Sequence, residues 1–156
     1  MRLVVADASP LRYLVEISAA HLLRELYGRI VIPTGVLREL TATGTPADIK
    51  AWALDLPPWV EVRISEPSLQ LHSLKLDVGE TEALQLATSE PDTLLLIDER
   101  LGRMAAVRLG IAWIGTLGIL REASDLGLID LEDAVERLRK TNFRLNQRLI
   151  DQLLNR

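Results

Sequence analysis

Short, nearly uninterrupted apolar runs alternate along this chain with stretches in which Leu, Val and Ala recur at helical spacing. The runs at residues 3–7, 29–32, 59–62, 93–97 and 111–114 are too short for helices, and most are bounded by Pro or Gly. Apolar on consecutive positions, they predict strands buried on both faces, hence an α/β fold with a mostly parallel sheet of four to five strands. The run at 59–62, behind Pro57-Pro58, reads as an edge strand. Leu11, Leu14, Val15, Leu22, Leu23 and Leu26 predict two helices broken near Ser18 and closed by Gly28. Ser9 suits the N-cap of the first, and Pro10 its first turn. Pro33-Thr34 starts a helix with Val36, Leu37 and Leu40 on its apolar side, and residues 48–54 form a short one containing Trp52. A further helix runs from about Glu99 to Leu109, and Gly115-Thr116 caps one that Gly127 stops. Residues 131–138 and 146–154 give a helical tail, while 65–76 is the least legible stretch.

A length of 156 residues, 48% apolar and 26% charged, fits one domain over 1–156, with the helices from about 130 onward packed on it or used in association. There is no apolar run of membrane-spanning length, and Asp7 interrupts the N-terminus too early for a signal peptide, so a cytoplasmic protein is expected. Zero cysteines exclude disulfides and thiolate metal sites. With His21 and His72 as the only histidines, any metal must be held by oxygen. The formal charge of −4 argues against indiscriminate nucleic-acid binding but leaves room for a local basic patch. Of the 18 basic residues only Lys50, Lys75 and Lys140 are lysines, and Arg is the better bidentate partner for phosphate.

Four acids stand out by position. Asp7 follows Leu3-Val4-Val5-Ala6 and Asp98 follows Leu94-Leu95-Leu96-Ile97, so in a parallel sheet both emerge at the carboxyl edge, where open α/β folds bind ligands. Glu80 precedes Ala83, Leu84 and Ala87 at helical offsets, which places it over the buried face of its helix's first turn. Glu39, near a helix end, can join them. Carboxylates converging on one edge repel one another unless cations neutralise them, so the set points to a divalent metal and to phosphate chemistry. Each acid also has a plainer use: Asp7 as a strand terminus, Asp98 as N-cap of the helix beginning at Glu99, Glu39 as a solvated charge, Glu80 as a complement to the helix dipole. Glu82 should point elsewhere. Ser9, Arg100, Arg103 and Arg12 are candidates for substrate contact, against an N-cap role for Ser9 and solvated surface Arg for the others. Aromatics are 4% of the chain, and Trp52, Trp59 and Trp113 lie in apolar contexts that predict core rather than stacking surface.

Val5-Ala6-Asp7-Ala8-Ser9-Pro10-Leu11, Glu39 within Val36-x-x-Glu39-Leu40, Leu76-Asp77-x-Gly79-Glu80-x-Glu82-Ala83-Leu84, and Leu95-Leu96-Ile97-Asp98-x-Arg100 together resemble the four motifs of PIN-domain ribonucleases, in order and spacing. Ala105-Ala106-x-x-Leu109-Gly110-Ile111 and Ile114-Gly115-Thr116-Leu117-Gly118 are similar to the VapC-like toxin subgroup. The resemblance spans Met1 to about Leu128 and weakens in the tail. It implies a three-layer α/β/α sandwich and a metal-dependent endoribonuclease with Asp7, Glu39, Glu80 and Asp98 holding Mg²⁺ or Mn²⁺. It also implies an RNA substrate, a small antitoxin partner and a homodimer. Two departures bear on the metal: Glu80 stands where many relatives carry Asp, and Arg100 occupies ground where some carry another acid, so one cation is expected and a second is weakened.

Two other phosphate-handling classes fit poorly. Haloacid-dehalogenase phosphatases need a second Asp two positions after the first, where this chain has Ser9, and response-regulator receivers need paired early acids and a late sheet Lys. The competing reading is a PIN-like binding module without catalysis, acting through helix surfaces such as Leu22, Leu23 and Leu26, although core burial is the more ordinary use of those leucines. Retention of all four acids favours the nuclease.

Overall fold

The computed structural model describes residues 2–65 and 75–154. Each apolar run forms a strand, and each periodic stretch a helix. In chain order these are β1 (Leu3–Ala6), α1 (Ala8–Glu16), α2 (Leu22–Tyr27), β2 (Ile30–Pro33), α3 (Thr34–Leu40), α4 (Ala47–Leu54), β3 (Val60–Arg63), α5 (Val78–Thr88), β4 (Thr93–Leu96), α6 (Arg100–Arg108), β5 (Ala112–Ile114), α7 (Thr116–Asp125), α8 (Leu131–Arg139) and α9 (Gln147–Leu154). The five strands are all parallel, in the order β3-β2-β1-β4-β5, with β3 at an edge as its sequence predicts.

Alternation along the strands feeds two cores. Val4, Ala6, Ile30, Ile32, Leu94 and Leu96 join a cluster completed by Leu11 and Leu14 of α1, Leu22 and Leu23 of α2, and Ile119 and Leu120 of α7. Val135 and Leu138 of α8, with Ile150 and Leu153 of α9, belong to the same cluster. Val5, Val31, Leu95 and Ile97 turn the other way, onto Ala83, Leu84 and Ala87 of α5 and Ala105 and Ala106 of α6. The sheet is therefore the middle of an α/β/α sandwich, which explains why its central strands read as unbroken apolar runs. Leu22 and Leu23 are fully buried, so their use is packing.

Local signals mark the boundaries well. The break after α1 falls where Ser18 adopts φ 60, and Gly28 ends α2 at φ 77, a conformation that costs glycine little. Two caps differ from expectation. Helix α1 begins at Ala8 with Asp7 as N-cap residue, so Ser9 is already inside the helix and does not cap it. Helix α6 has Glu99 as N-cap residue, and Asp98 is engaged elsewhere. The stretch 65–76 lies mostly outside the described residues, as does His72. Among the described residues no helix is long and apolar enough to cross a membrane.

The strand order reverses between β1 and β4, which pair in register from Leu3 with Thr93 to Ala6 with Leu96. Connections leave this junction in opposite directions and open a crevice at the carboxyl ends of the two strands. Asp7 and Asp98 stand at that crevice.

Candidate active site

Asp7 is pinned by its own backbone, whose N–H donates to the Leu96 carbonyl at 2.9 Å. Its side chain makes no cap hydrogen bond to α1 and is 3% exposed. Burial pushes its pKa well above the usual carboxylate range, the Ala8 N–H offsets part of this, and the charges of Glu80, Asp77 and Glu39 push it up further. Two of the three acids expected around it, Glu39 and Glu80, thus act on Asp7, and Asp77 joins them.

Helix α5 supplies Glu80 through a reciprocal cap. The Glu80 N–H donates to Asp77 Oδ1 at 2.7 Å, and the Asp77 N–H donates to Glu80 Oε1 at 3.1 Å. Glu80 is buried above Ala83, Leu84 and Ala87, as the spacing predicts, and its pKa is pushed up to about 7, by burial first and by Asp77 and Glu99 in addition. The cap engages Oε1, while Oε2 lies 3.5 Å from where a Cβ on Gly102 would sit. Gly79 leaves room between two carboxylates: a Cβ there would be 3.6 Å from Asp7 Oδ1 and 3.6 Å from Asp77 Oδ1, so both oxygens face one small volume.

Glu39 is exposed in the last turn of α3, its pKa raised by partial burial and by Asp77, with Arg12 opposing. The start of that helix is tied to α5 by Glu82, whose Oε1 accepts from the Gly35 N–H at 2.9 Å and the Thr34 hydroxyl at 3.3 Å. Glu82 is thus engaged at the start of α3, is part-buried and holds two helices together.

Asp98 does not cap the helix that follows it. Its Oδ1 accepts from the Thr116 N–H at 2.8 Å and its Oδ2 from the Thr116 hydroxyl at 2.7 Å, which fastens the start of α7 across the edge between β4 and β5. Gly115 is required by this approach, because a Cβ there would meet Asp98 Oδ1 at 2.8 Å. Burial raises the Asp98 pKa, Thr116 and the Arg103 guanidinium hold it down, and Glu99 adds to the rise. Glu99 also acts on Glu39 and Glu80, so it links the Asp98 side of the crevice to the other acids.

Among the described residues no group of three or more acidic or histidine side chains stands close enough together to enclose a metal ion. The donor set nevertheless fits a hard divalent cation. It consists of carboxylate oxygens, the buried Asp7 carboxylate meets the Ala8 N–H but makes no cap hydrogen bond, and the space beside Gly79 is open to Asp7 Oδ1 and Asp77 Oδ1.

Of the substrate candidates, Arg103 lies beside Asp98, Arg100 is exposed at the start of α6, and Ser9 is in the first turn of α1. Two acids of the site were not singled out in the sequence, and one aromatic was assigned elsewhere. Asp77 carried a signal, since Asp77-x-x-Glu80 has the form of a capping box, and Glu99 directly follows a strand-terminal Asp. Trp113 corrects the expectation of a core residue: it is 37% exposed on the edge strand β5, with the Arg103 guanidinium carbon 5.1 Å from its ring centroid. Trp52 and Trp59 do pack against the core, 6.5 Å apart by ring centroids.

An all-parallel 3-2-1-4-5 sheet with acids gathered at its switch point defines an α/β protein built for a ligand at the carboxyl edge. The chain belongs to the PIN-domain family: a family model described as a PIN domain matches residues 3–156. No curated protein and no solved structure matches it. PIN domains are generally nucleases that use divalent metal ions and bind RNA.

Proposed function

We propose that this chain is a metal-dependent endoribonuclease that hydrolyses RNA phosphodiester bonds, with Asp7, Glu39, Glu80 and Asp98 around Mg²⁺ or Mn²⁺. The observation that carries this reading is Asp7: a carboxylate 3% exposed at the switch point, facing the like charges of Glu80, Asp77 and Glu39. Keeping such a group ionised costs several kcal/mol, on the order of the penalties known for buried ions, unless a cation compensates.

Bound there, a divalent ion supplies Lewis acidity toward a phosphate and a water of lowered pKa. The protein's part is placement. The backbone of Asp7 is locked to β4, and Glu80 keeps one oxygen in its cap and presents the other. The oxygens of Asp98 each accept one hydrogen bond from Thr116 and retain a second lone pair. In this reading Arg100 and Arg103 hold the phosphate chain, and Ser9 hydrogen-bonds it. In-line hydrolysis in such a site needs no protein nucleophile. Asp77 tunes the site through its charge on Asp7, Glu39 and Glu80.

The same reading extends to biology: the toxin of a type II toxin–antitoxin pair in the VapC-like subgroup, cytoplasmic, homodimeric and restrained by a small antitoxin. Support for these finer statements is the motif resemblance.

The test is cleavage of a pool of single-stranded and structured RNA by purified protein in Mn²⁺ or EDTA, beside Asp7→Asn and Asp98→Asn. Cutting that needs Mn²⁺ and is lost in both variants is expected. Retained cutting in either variant removes that residue from the site, and no cutting by folded protein with any metal returns the chain to the binding-module reading. Induced expression should arrest growth with the wild-type chain and not with Asp7→Asn, and sedimentation should give twice the chain mass.

A further inference from the structure

We propose that the exposed ring of Trp113, paired with Arg103 beside Asp98, is a stacking platform for one unpaired nucleobase of the substrate. The inference rests on the RNA-cleaving reading and names the part of the substrate that the site grips.

Strand β5 differs from β1, β2 and β4, whose residues are almost all buried: Ala112 and Trp113 are exposed. In a chain with 4% aromatics, one of three tryptophans is thus left 37% exposed. The Arg103 guanidinium lies over the ring at 5.1 Å, a distance at which cation–π attraction orders both partners. Arg103 Nε is buried without a hydrogen-bond partner.

The pair stands between two hollows. One, of about 880 Å³, runs from Asp98 past Thr116 to Phe143 and Arg144, and the other, of about 340 Å³, has Met104 and Val107 on its wall. Arg103 and Trp113 line both. A strand whose phosphate sits at Asp98 therefore has a ring and a guanidinium directly along its path.

Charge and geometry choose the occupant. Arg100, Arg103 and Arg144 bring three cations to the larger cleft of a chain whose net charge is −4, although Asp98 and Glu99 also line it. Cations beside an exposed indole match a phosphate chain with an unstacked base, whereas bases inside a duplex have their faces covered. Stacking tolerates any base, so the platform demands a base's presence and is nearly indifferent to its identity.

The test uses short single-stranded oligoribonucleotides in which one abasic site is moved along the chain. In the wild-type protein, an abasic site at one position near the cut should raise KM by about 5- to 150-fold, the equivalent of about 1–3 kcal/mol. Trp113→Ala should raise KM for the intact strand by a similar factor, lower kcat less, and erase the abasic penalty. Trp113→Phe should keep most of the penalty, which separates stacking from a folding defect. In the Asp7→Asn protein, the intact strand should quench tryptophan fluorescence, and adding Trp113→Phe should remove the quench. An undiminished abasic penalty in Trp113→Ala, duplex cut as readily as single strand, or cutting without the quench overturns the platform and leaves the nuclease standing. The ring would then be free for a protein partner. A Trp113-dependent quench without cutting under any metal overturns the nuclease and leaves the platform.

Discussion

Glu80→Gln should stabilise the metal-free protein at alkaline pH while destroying its catalysis. The carboxyl of Glu80 is pushed up to about 7 in the fold from 4.5 for an unperturbed glutamate, because burial and the charges of Asp77 and Glu99 disfavour ionisation. The folded state therefore holds a proton that the unfolded chain releases, and stability falls as pH rises from about 4.5 through about 7. The difference of 7 − 4.5 = 2.5 pH units corresponds to at most about 3.4 kcal/mol. The carboxylate faces the open edge of the sheet, where solvent screens it, so about 1–2 kcal/mol is the working expectation. Gln carries no charge and keeps an Oε1 to accept from the Asp77 N–H, so the cap survives. In EDTA at pH 8 the variant should melt about 2–8 °C higher than wild type, and at pH 5 the advantage should shrink to about half. Mn²⁺ should reverse the order at pH 8, raising the wild-type melting temperature more than the variant's. Urea melts at both pH values check the free energies. Equal or lower stability of Glu80→Gln at pH 8, or an advantage independent of pH, would refute the argument that an uncompensated buried charge sits at this position.

Gly79→Ala should raise stability in EDTA by about 0.5–1 kcal/mol through helix propensity, yet abolish the melting shift produced by Mn²⁺, because its methyl occupies the space between Asp7 and Asp77; an intact Mn²⁺ shift would place the cation elsewhere. Asp98→Asn keeps an acceptor for the Thr116 N–H and should change stability little, whereas Asp98→Ala loses both Thr116 bonds and should cost about 1–3 kcal/mol; both should stop RNA cleavage, and equal urea midpoints for the two would sink the cap. Glu82→Gln should cut RNA nearly as well as wild type, while Glu82→Ala should lose about 1–2 kcal/mol by freeing the Gly35 N–H and loosening the helix that carries Glu39. If Glu82→Gln proves as damaging as Glu80→Gln in the cleavage assay, the site contains the other Glu.

The sheet was legible because buried parallel strands leave an unmistakable trace: Leu3 to Ala6 and Thr93 to Leu96 are apolar at every position but one, and the residues that end them emerge at one edge. Periodicity also located Glu80, since a stripe of Ala83, Leu84 and Ala87 fixes which side of α5 is inward. What periodicity reports is burial of a face, and it is silent on partners distant in sequence. Asp98 looked like a cap for its own helix, but Thr116, 18 positions on, holds it. Glu82 reaches Gly35 across 47 positions, which no local pattern encodes. Trp113 misled for a different reason: Ile111-Ala112-Trp113-Ile114 has the composition of a central strand, but its place at the end of the sheet leaves the indole exposed.

The acids of the crevice meet little basic side-chain charge, and the fold opposes their repulsion mainly with backbone. Every helix that follows a strand in a parallel sheet starts at the carboxyl edge, and the positive ends of helix dipoles gather where the carboxylates are. Asp7 is the N-cap residue of α1, Asp77 and Glu80 form the cap of α5, Glu99 precedes α6, and Asp98 binds the first N–H of α7. Each such pairing is worth about 0.3–1 kcal/mol at an ordinary helix end. That is smaller than the penalty of about 1–2 kcal/mol expected at Glu80, and the pKa values of Asp7, Glu80 and Asp98 stay raised despite these contacts. Capping thus explains how the acids can be held in place together, and it leaves a residue of negative charge that the helices do not neutralise. That residue is the driving force for cation binding on which the nuclease reading depends, and it predicts that neutral substitutions at Asp7 or Glu80 leave the scaffold intact while removing the reason for the metal to bind.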